Sequence, residues 1–311
     1  MTRAWRALAA LVLGLLAASV VAVVAWPVAM LRAAGELVLR VSGVASRHVR
    51  AGRFELRYLE AGSGPPLLLV HGLASNAAQD WGRLIAPLAR SYHVYAPDLP
   101  GFGRSERPAT ADYGVPMQVE AVRAFLGALG VPRARVAGLS MGGWISARLA
   151  GEHPELVERL VLVDAAGMRP LEKAPIPAQV LLPHDEDGVR RLIAAVRYEP
   201  PPAPFFLVRD ILAERLREEW IVRRALESMR AGKDWLDGTL GRATMPVLIV
   251  WGRQDALIPV AYAALLQAEF GHARLELLDG CGHVPIADCP QEFDRVLAGF
   301  LAEVPAADSA R

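Results

Sequence analysis

Gly138-Leu139-Ser140-Met141-Gly142 sets a serine between two glycines, each two positions away. A serine hydroxyl is a weak nucleophile. It attacks a carbonyl only when a neighbouring base takes its proton and a carboxylate orients that base. The pentapeptide alone is modest evidence, but an apolar run, Ala134–Ala137, precedes it and a helical run, Trp144–Ala150, follows it. Between a strand and a helix such a serine sits on a tight, strained turn, where side chains at the glycine positions would clash. The turn lifts the hydroxyl above a sheet, at a helix N-terminus whose free N–H groups favour developing negative charge. The plainer alternative is that Ser140 only caps the following helix.

A base and an orienting acid are therefore expected after later strands. Asp255 follows the apolar run Val247–Trp251, and His283 follows Leu275–Leu278 within Asp279-Gly280-Cys281-Gly282-His283. Both lie just past the C-terminal ends of strands, the edge where sites of open α/β sheets gather. The order Ser…Asp…His matches that arrangement. Asp164, at the end of the run Leu160–Val163, is an alternative acid that either reaches the histidine from a neighbouring strand or shapes a hinge. Acyl transfer also calls for two N–H groups facing the developing oxyanion. Met141, after the serine, offers one. Leu73, in the loop His71-Gly72-Leu73 after an early strand, offers the other, because Gly72 frees the backbone to turn inward.

The elements that position these residues read as alternating strands and helices. Residues 47–60 alternate polar and apolar around Ala51-Gly52, a β-hairpin pattern. Short apolar runs follow at Leu67–Val70, Tyr92–Ala96, Ala134–Ala137 and Leu160–Val163, and helical stretches lie near Trp81–Ala89, Val119–Leu129 and Trp144–Ala150. Short continuous apolar strands between helices predict a mostly parallel sheet covered on both faces. The alternation stops over 165–242, which is rich in proline and then carries a long charged helical stretch, Leu207–Met229. It resumes with Val247–Trp251, Val260–Glu269, Leu275–Leu278 and Gln291–Leu301. The predicted organisation is 1–32 anchor, 33–164 first part of an α/β core, 165–242 helical cap and 243–311 second part of the core. Phe205, Phe206, Trp220 and Trp235 of the cap are expected either to roof an apolar acyl pocket or to form the cap's own core.

The 311 residues carry 34 Lys+Arg against 33 Asp+Glu, with 53% hydrophobic residues. That balance excludes a disordered chain and gives no basic excess for nucleic acid. The surplus hydrophobicity sits at Ala7–Leu31, 25 residues without a charge. As a helix this run is roughly 37 Å long against a hydrocarbon core of about 30 Å. Trp5 and Trp26 fall near its ends, as interface residues do. A signal peptide with a cleavage site at Val23-Val24-Ala25 is the alternative, but the run continues past that site, so a single-pass anchor is expected. Arg3 and Arg6 precede the run and Arg32, Arg40 and Arg47 follow it, so flanking charge does not choose a side. Cys281 and Cys289 are expected to be free thiols by default, and to pair if the domain faces an oxidising compartment.

The segments HGLASN (71–76), DLPGFGRS (98–105), GLSMGG (138–143), WGRQDALIP (251–259) and GCGHVPIADCP (280–290) together resemble the α/β-hydrolase superfamily. The match in order and spacing covers about residues 47–302. The resemblance implies an α/β-hydrolase fold with Ser140, Asp255 and His283 as triad and Leu73 and Met141 as oxyanion donors. It further implies that Asp98, Gly101, Gly103 and Ser105 form a structural loop. With the anchor, the chain looks most like membrane-anchored monoacylglycerol lipases and carboxylesterases. A lipid-like acyl ester is then the expected substrate, with no cofactor and no metal. Carbon–carbon bond hydrolysis and acyl transfer to an alcohol use the same triad. A non-enzymatic interaction protein on the same fold would leave Ser140 unreactive.

Overall fold

A computed structural model of the protein describes Trp5 and residues 24–170, 178–231 and 234–303. Eight strands form one sheet in the order β1-β2-β4-β3-β5-β6-β7-β8. They are β1 Ala45–Ala51, β2 Phe54–Ala61, β3 Pro66–Val70, β4 His93–Pro97, β5 Ala134–Leu139, β6 Val157–Val163, β7 Val247–Gly252 and β8 Arg274–Leu278. The predicted hairpin is β1–β2, antiparallel with Ala51 opposite Phe54. β2 joins β4 antiparallel, and every pairing from β4 through β8 is parallel.

Side chains alternate between the faces of each central strand, and both faces are dry. Leu68, Val136, Leu160, Leu162 and Ile249 enter one core, while Leu67, Leu69, Val161, Val163 and Leu248 enter the other. A strand covered on both sides reads as a continuous apolar run, which is why these strands are legible in the sequence. The helices in chain order are α1 Pro27–Val41, α2 Ala77–Leu88, α3 Val115–Ala128, α4 Met141–Glu152, α5 Glu186–Val196, α6 Phe205–Arg230, α7 Ala261–Phe270, α8 Pro285–Asp288 and α9 Pro290–Ala302. Val119 of α3, Ile145 of α4 and Leu266 of α7 pack in the first core. Trp81 of α2 and Phe293 of α9 pack in the second.

Between β6 and β7 the described residues hold α5, α6, a 3₁₀ turn at Ala178–Leu181 and irregular connections, with no strand among them. At the N-terminus, α1 runs through residue 32 and ends nine residues later, at Val41. Most of the apolar run Ala7–Leu31 lies outside the described residues, since nothing between 6 and 23 is described. Among the described residues no helix is long and apolar enough to cross a membrane. The cysteines depart from expectation. Cys281 and Cys289 form a disulfide with Cα atoms 5.8 Å apart. Eight residues of chain can bridge so short a distance because α8 folds the backbone back on itself.

Candidate active site

Ser140 has φ 56° and ψ −118°, a conformation that side-chain-bearing residues rarely adopt, and α4 starts at the next residue. Several backbone hydrogen bonds hold it there. Its N–H donates to the Val163 carbonyl at 2.9 Å, and its own carbonyl accepts from Trp144 and Ala166 at 3.1 Å each. A Cβ on Gly138 would collide with the Gly142 carbonyl, and one on Gly142 with the carbonyls of Val70 and His71. The two glycines of the pentapeptide are therefore required for close approach of backbone, as the strained turn predicts.

Asp255 and His283 meet across the loops that follow β7 and β8. His283 Nδ1 lies 2.7 Å from Asp255 Oδ2, and both side chains are almost fully buried. The other Asp255 oxygen accepts the N–H groups of Leu257 and Ile258, each at 2.8 Å. With both oxygens engaged, the carboxylate is fixed in place. The Nδ1 bond in turn leaves Nε2 of His283 as the ring nitrogen available on the other side.

Asp164 is close but is bonded elsewhere. Its Oδ1 accepts the Gly252 N–H at 2.9 Å, and its Oδ2 is buried without a partner. Burial first, and then the neighbouring Asp255 charge, hold its carboxyl well above the usual range. Asp164, Asp255 and His283 each bring one ligand-type atom within 4.8 Å of the others, the only such group among the described residues. Asp255 and His283 are already bonded to each other there.

A cavity of about 370 Å³ joins Ser140, His283, Leu73 and Met141. This size lies in the range of small-molecule sites. Leu257 and Ile258 line it from below, and Leu181, Leu192, Val196, Leu226, Met229 and Trp235 line it from the cap. Of the four cap aromatics picked out in the sequence, only Trp235 belongs to the wall. Trp235 stacks on Trp144 with ring centres 5.0 Å apart. Phe205 and Trp220 are instead 58% and 39% exposed.

Some residues of the site carry no sequence signal. Asp80 accepts the Gly72 N–H at 2.8 Å and the Ser75 hydroxyl at 2.5 Å, which shapes the loop that presents Leu73. Arg215 and Arg230 add two cations to the cavity wall, which also includes Asp80, and Arg215 donates to the Ala74 carbonyl at 2.6 Å. Desolvation lowers the Arg215 pKa, yet a guanidinium remains charged. Asp288 ties the histidine loop to the cap, accepting from Gly282 N and Tyr198 N at 2.9 Å each and from Arg197 Nε at 2.5 Å. The segment 98–105 is held by hydrogen bonds to its own acid and serine. Asp98 accepts from Ala77 N and Arg104 N, and Ser105 donates to the Asp98 carbonyl at 2.6 Å.

Residues 65–200 match the family described as alpha/beta hydrolase fold. Lipase 3 of Moraxella sp. is 30% identical over 74% of this chain and 75% of its own length. The 2-hydroxymuconate semialdehyde hydrolase of Pseudomonas sp. is 32% identical over 84% of this chain and 95% of that enzyme. Among solved structures, that of a membrane phospholipase A superposes with a TM-score of 0.81 at 33% identity, covering 95% of this chain and 97% of that one.

Proposed function

Because the chain belongs to the α/β-hydrolase family, we propose that it hydrolyses carboxylic esters with lipid-like acyl groups, monoacylglycerols or similar esters, through a Ser140–His283–Asp255 triad. The observation that carries this reading is the buried 2.7 Å contact between His283 Nδ1 and Asp255 Oδ2 on the wall of a cavity that also contains Ser140. His283 Nε2 takes the Ser140 proton as the hydroxyl oxygen attacks the ester carbonyl. The N–H groups of Leu73 and Met141 stabilise the tetrahedral oxyanion. His283 then protonates the leaving alcohol, and an acyl-enzyme remains on Ser140. Water, activated by the same imidazole, attacks that acyl group and releases the acid, restoring the serine. Asp255 holds the ring in the productive tautomer throughout and favours the imidazolium. The apolar cap side chains receive the acyl chain, and the run Ala7–Leu31 anchors the protein in a membrane, with the likeness to a lipase and to a membrane phospholipase A supporting both points.

A second reading, carbon–carbon bond hydrolysis on the same residues, is favoured by the 32% identity to a 2-hydroxymuconate semialdehyde hydrolase. One experiment separates the two. Detergent-solubilised protein and its Ser140→Ala variant are assayed on esters of graded acyl length, including monoacylglycerols, and on a diketone-type substrate. Ester turnover that rises with chain length and falls roughly 10⁶-fold in Ser140→Ala is expected. Turnover confined to the diketone would move the assignment to carbon–carbon cleavage.

A further inference from the structure

Helix α1 is amphipathic in the wrong sense for a helix of a water-soluble protein. Val28, Arg32, Glu36 and Leu39, spaced four, four and three residues apart, form the stripe that meets the rest of the molecule, and Pro27 is buried at the start of the helix. Three of the four contacts are polar or charged. The Val28 N–H donates to Asp210 at 2.9 Å, Arg32 forms a two-bond pair with Glu214 at 3.0 and 2.7 Å, and Glu36 pairs with Arg104 at 2.6 Å. At 3.6 residues per turn the opposite stripe contains Met30, Leu31, Ala34, Leu37, Val38 and Val41, with no charge among them. These residues face outward, with Leu31 63%, Leu37 59%, Val38 60% and Val41 76% exposed. A contiguous apolar stripe turned to the outside marks a surface that something else covers.

We propose that this outward stripe of α1 lies in the headgroup region of a lipid bilayer. The inference rests on the membrane-anchor part of the proposed function and assigns a second, separate contact with the lipid. The uncharged run that begins at Ala7 ends at Leu31, inside α1, so chain leaving a membrane would enter this helix without a linker. Trp26, 59% exposed, stands just before its first residue, where an interfacial aromatic belongs. Arg40, exposed near the other end, suits anionic headgroups. A second copy of the chain fits less well. A stripe along 15 residues is about 22 Å long and about 10 Å wide. Its six residues are far fewer than the roughly 20–30 residues per side of a standard protein–protein interface. The inner stripe of α1 is bonded to Asp210 and Glu214 of the cap helix α6, and the next residue, Arg215, lines the cavity. A helix lying on the bilayer would thus hold the cap beside the lipid surface.

Full-length protein provides the test. Its two described cysteines are paired, so an introduced cysteine is the free thiol. Variants Leu37→Cys, Val41→Cys and, across the sheet on α7, Ala264→Cys are labelled with an environment-sensitive fluorophore. They are reconstituted with phosphatidylcholine–phosphatidylglycerol vesicles, with or without brominated acyl chains. Labels at 37 and 41, expected about 5–10 Å below the headgroup boundary, should lose emission to brominated lipid severalfold more than the label at 264. Flotation with vesicles but equal quenching at all three sites would overturn the proposal while leaving the anchor standing. Failure to float would overturn both. Excimer formation by pyrene at position 37 that survives dilution in lipid would assign the stripe to a second copy and overturn it as well. None of these readouts depends on turnover, so failure of the esterase assignment would be distinguishable.

Discussion

The floor and the roof of the cavity are built in different ways. In the floor, the side chains of the proposed triad follow the ends of strands, and backbone groups hold Ser140 and Asp255 in position. Ser140 N is bonded to Val163 O, and Asp255 Oδ1 takes two successive N–H groups. The roof meets the floor through apolar packing of Ile221, Val222 and Ala225 and through polar side-chain contacts of long sequence separation. Examples are Arg197 on Asp288, Arg148 on Asp234 and Arg107 on Glu218. A constellation fixed by backbone keeps its geometry when a neighbouring side chain changes. A wall made of cap side chains changes shape with each of them. Under the proposed mechanism the floor would carry the reaction chemistry and the roof the substrate choice, so substitutions in the two regions should have different kinetic signatures.

After Ser140→Ala, the largest effect is expected from Asp255→Asn. The amide cannot stabilise the imidazolium, and its NH₂ favours the wrong tautomer of His283, so kcat should fall about 10⁴-fold with an unchanged circular dichroism spectrum. A loss below tenfold would mean that Asp164, within 4.8 Å, takes over the orientation of the ring. The double variant with Asp164→Asn would then lose the remainder. Met229→Ala, in the roof, should leave kcat on a preferred ester nearly intact and shift the ratio of kcat/KM toward longer acyl chains by about tenfold, the size expected for a methylene or two in a pocket. A uniform loss on every chain length would contradict the division between floor and roof.

The floor is readable in the sequence because its constraints are local. The strained turn needs Gly138 and Gly142 two residues either side of Ser140, and buried parallel strands need uninterrupted apolar runs. The acid and the histidine then fall at fixed places after such runs. The roof is readable only as a helical interruption. Which faces of α5 and α6 line the cavity depends on packing, so Leu226 and Met229 do not stand out in the sequence, whereas the exposed Phe205 and Trp220 do. Asp80 and Asp288 are hidden for a similar reason. Their partners are backbone N–H groups and a distant arginine, which leave no pattern of residue types. Position 32 marks the end of the apolar run but not of any structural element, since helix continuation is set by the contacts of Arg32, Glu36 and Leu39.

The smallest effect concerns Asp164, which stands at the seam, ending β6 where the chain leaves for the cap. It combines φ 42° with complete burial and an unpartnered Oδ2. Its raised pKa, caused by burial and then by Asp255, makes it neutral in the folded protein over a pH range in which the unfolded chain has ionised it. Folding in that range takes up a proton. A group of this kind contributes its full share to stability below its unfolded value, near pH 4, and loses it progressively as pH rises toward the folded value. The substitution Asp164→Asn keeps an acceptor for Gly252 N and removes the titration. The melting temperature of this variant minus that of the unsubstituted protein should therefore increase from about pH 4 upward, by at most about 1.4 kcal/mol of stability per pH unit. The comparison needs only thermal unfolding at several pH values between about 4 and 8. A difference that does not change with pH would mean that Asp164 is already ionised in the fold, and two adjacent charges would then have to be accommodated at the end of β6. A rising difference would show that Asp164 is held neutral in the fold, beside the carboxyl that faces His283.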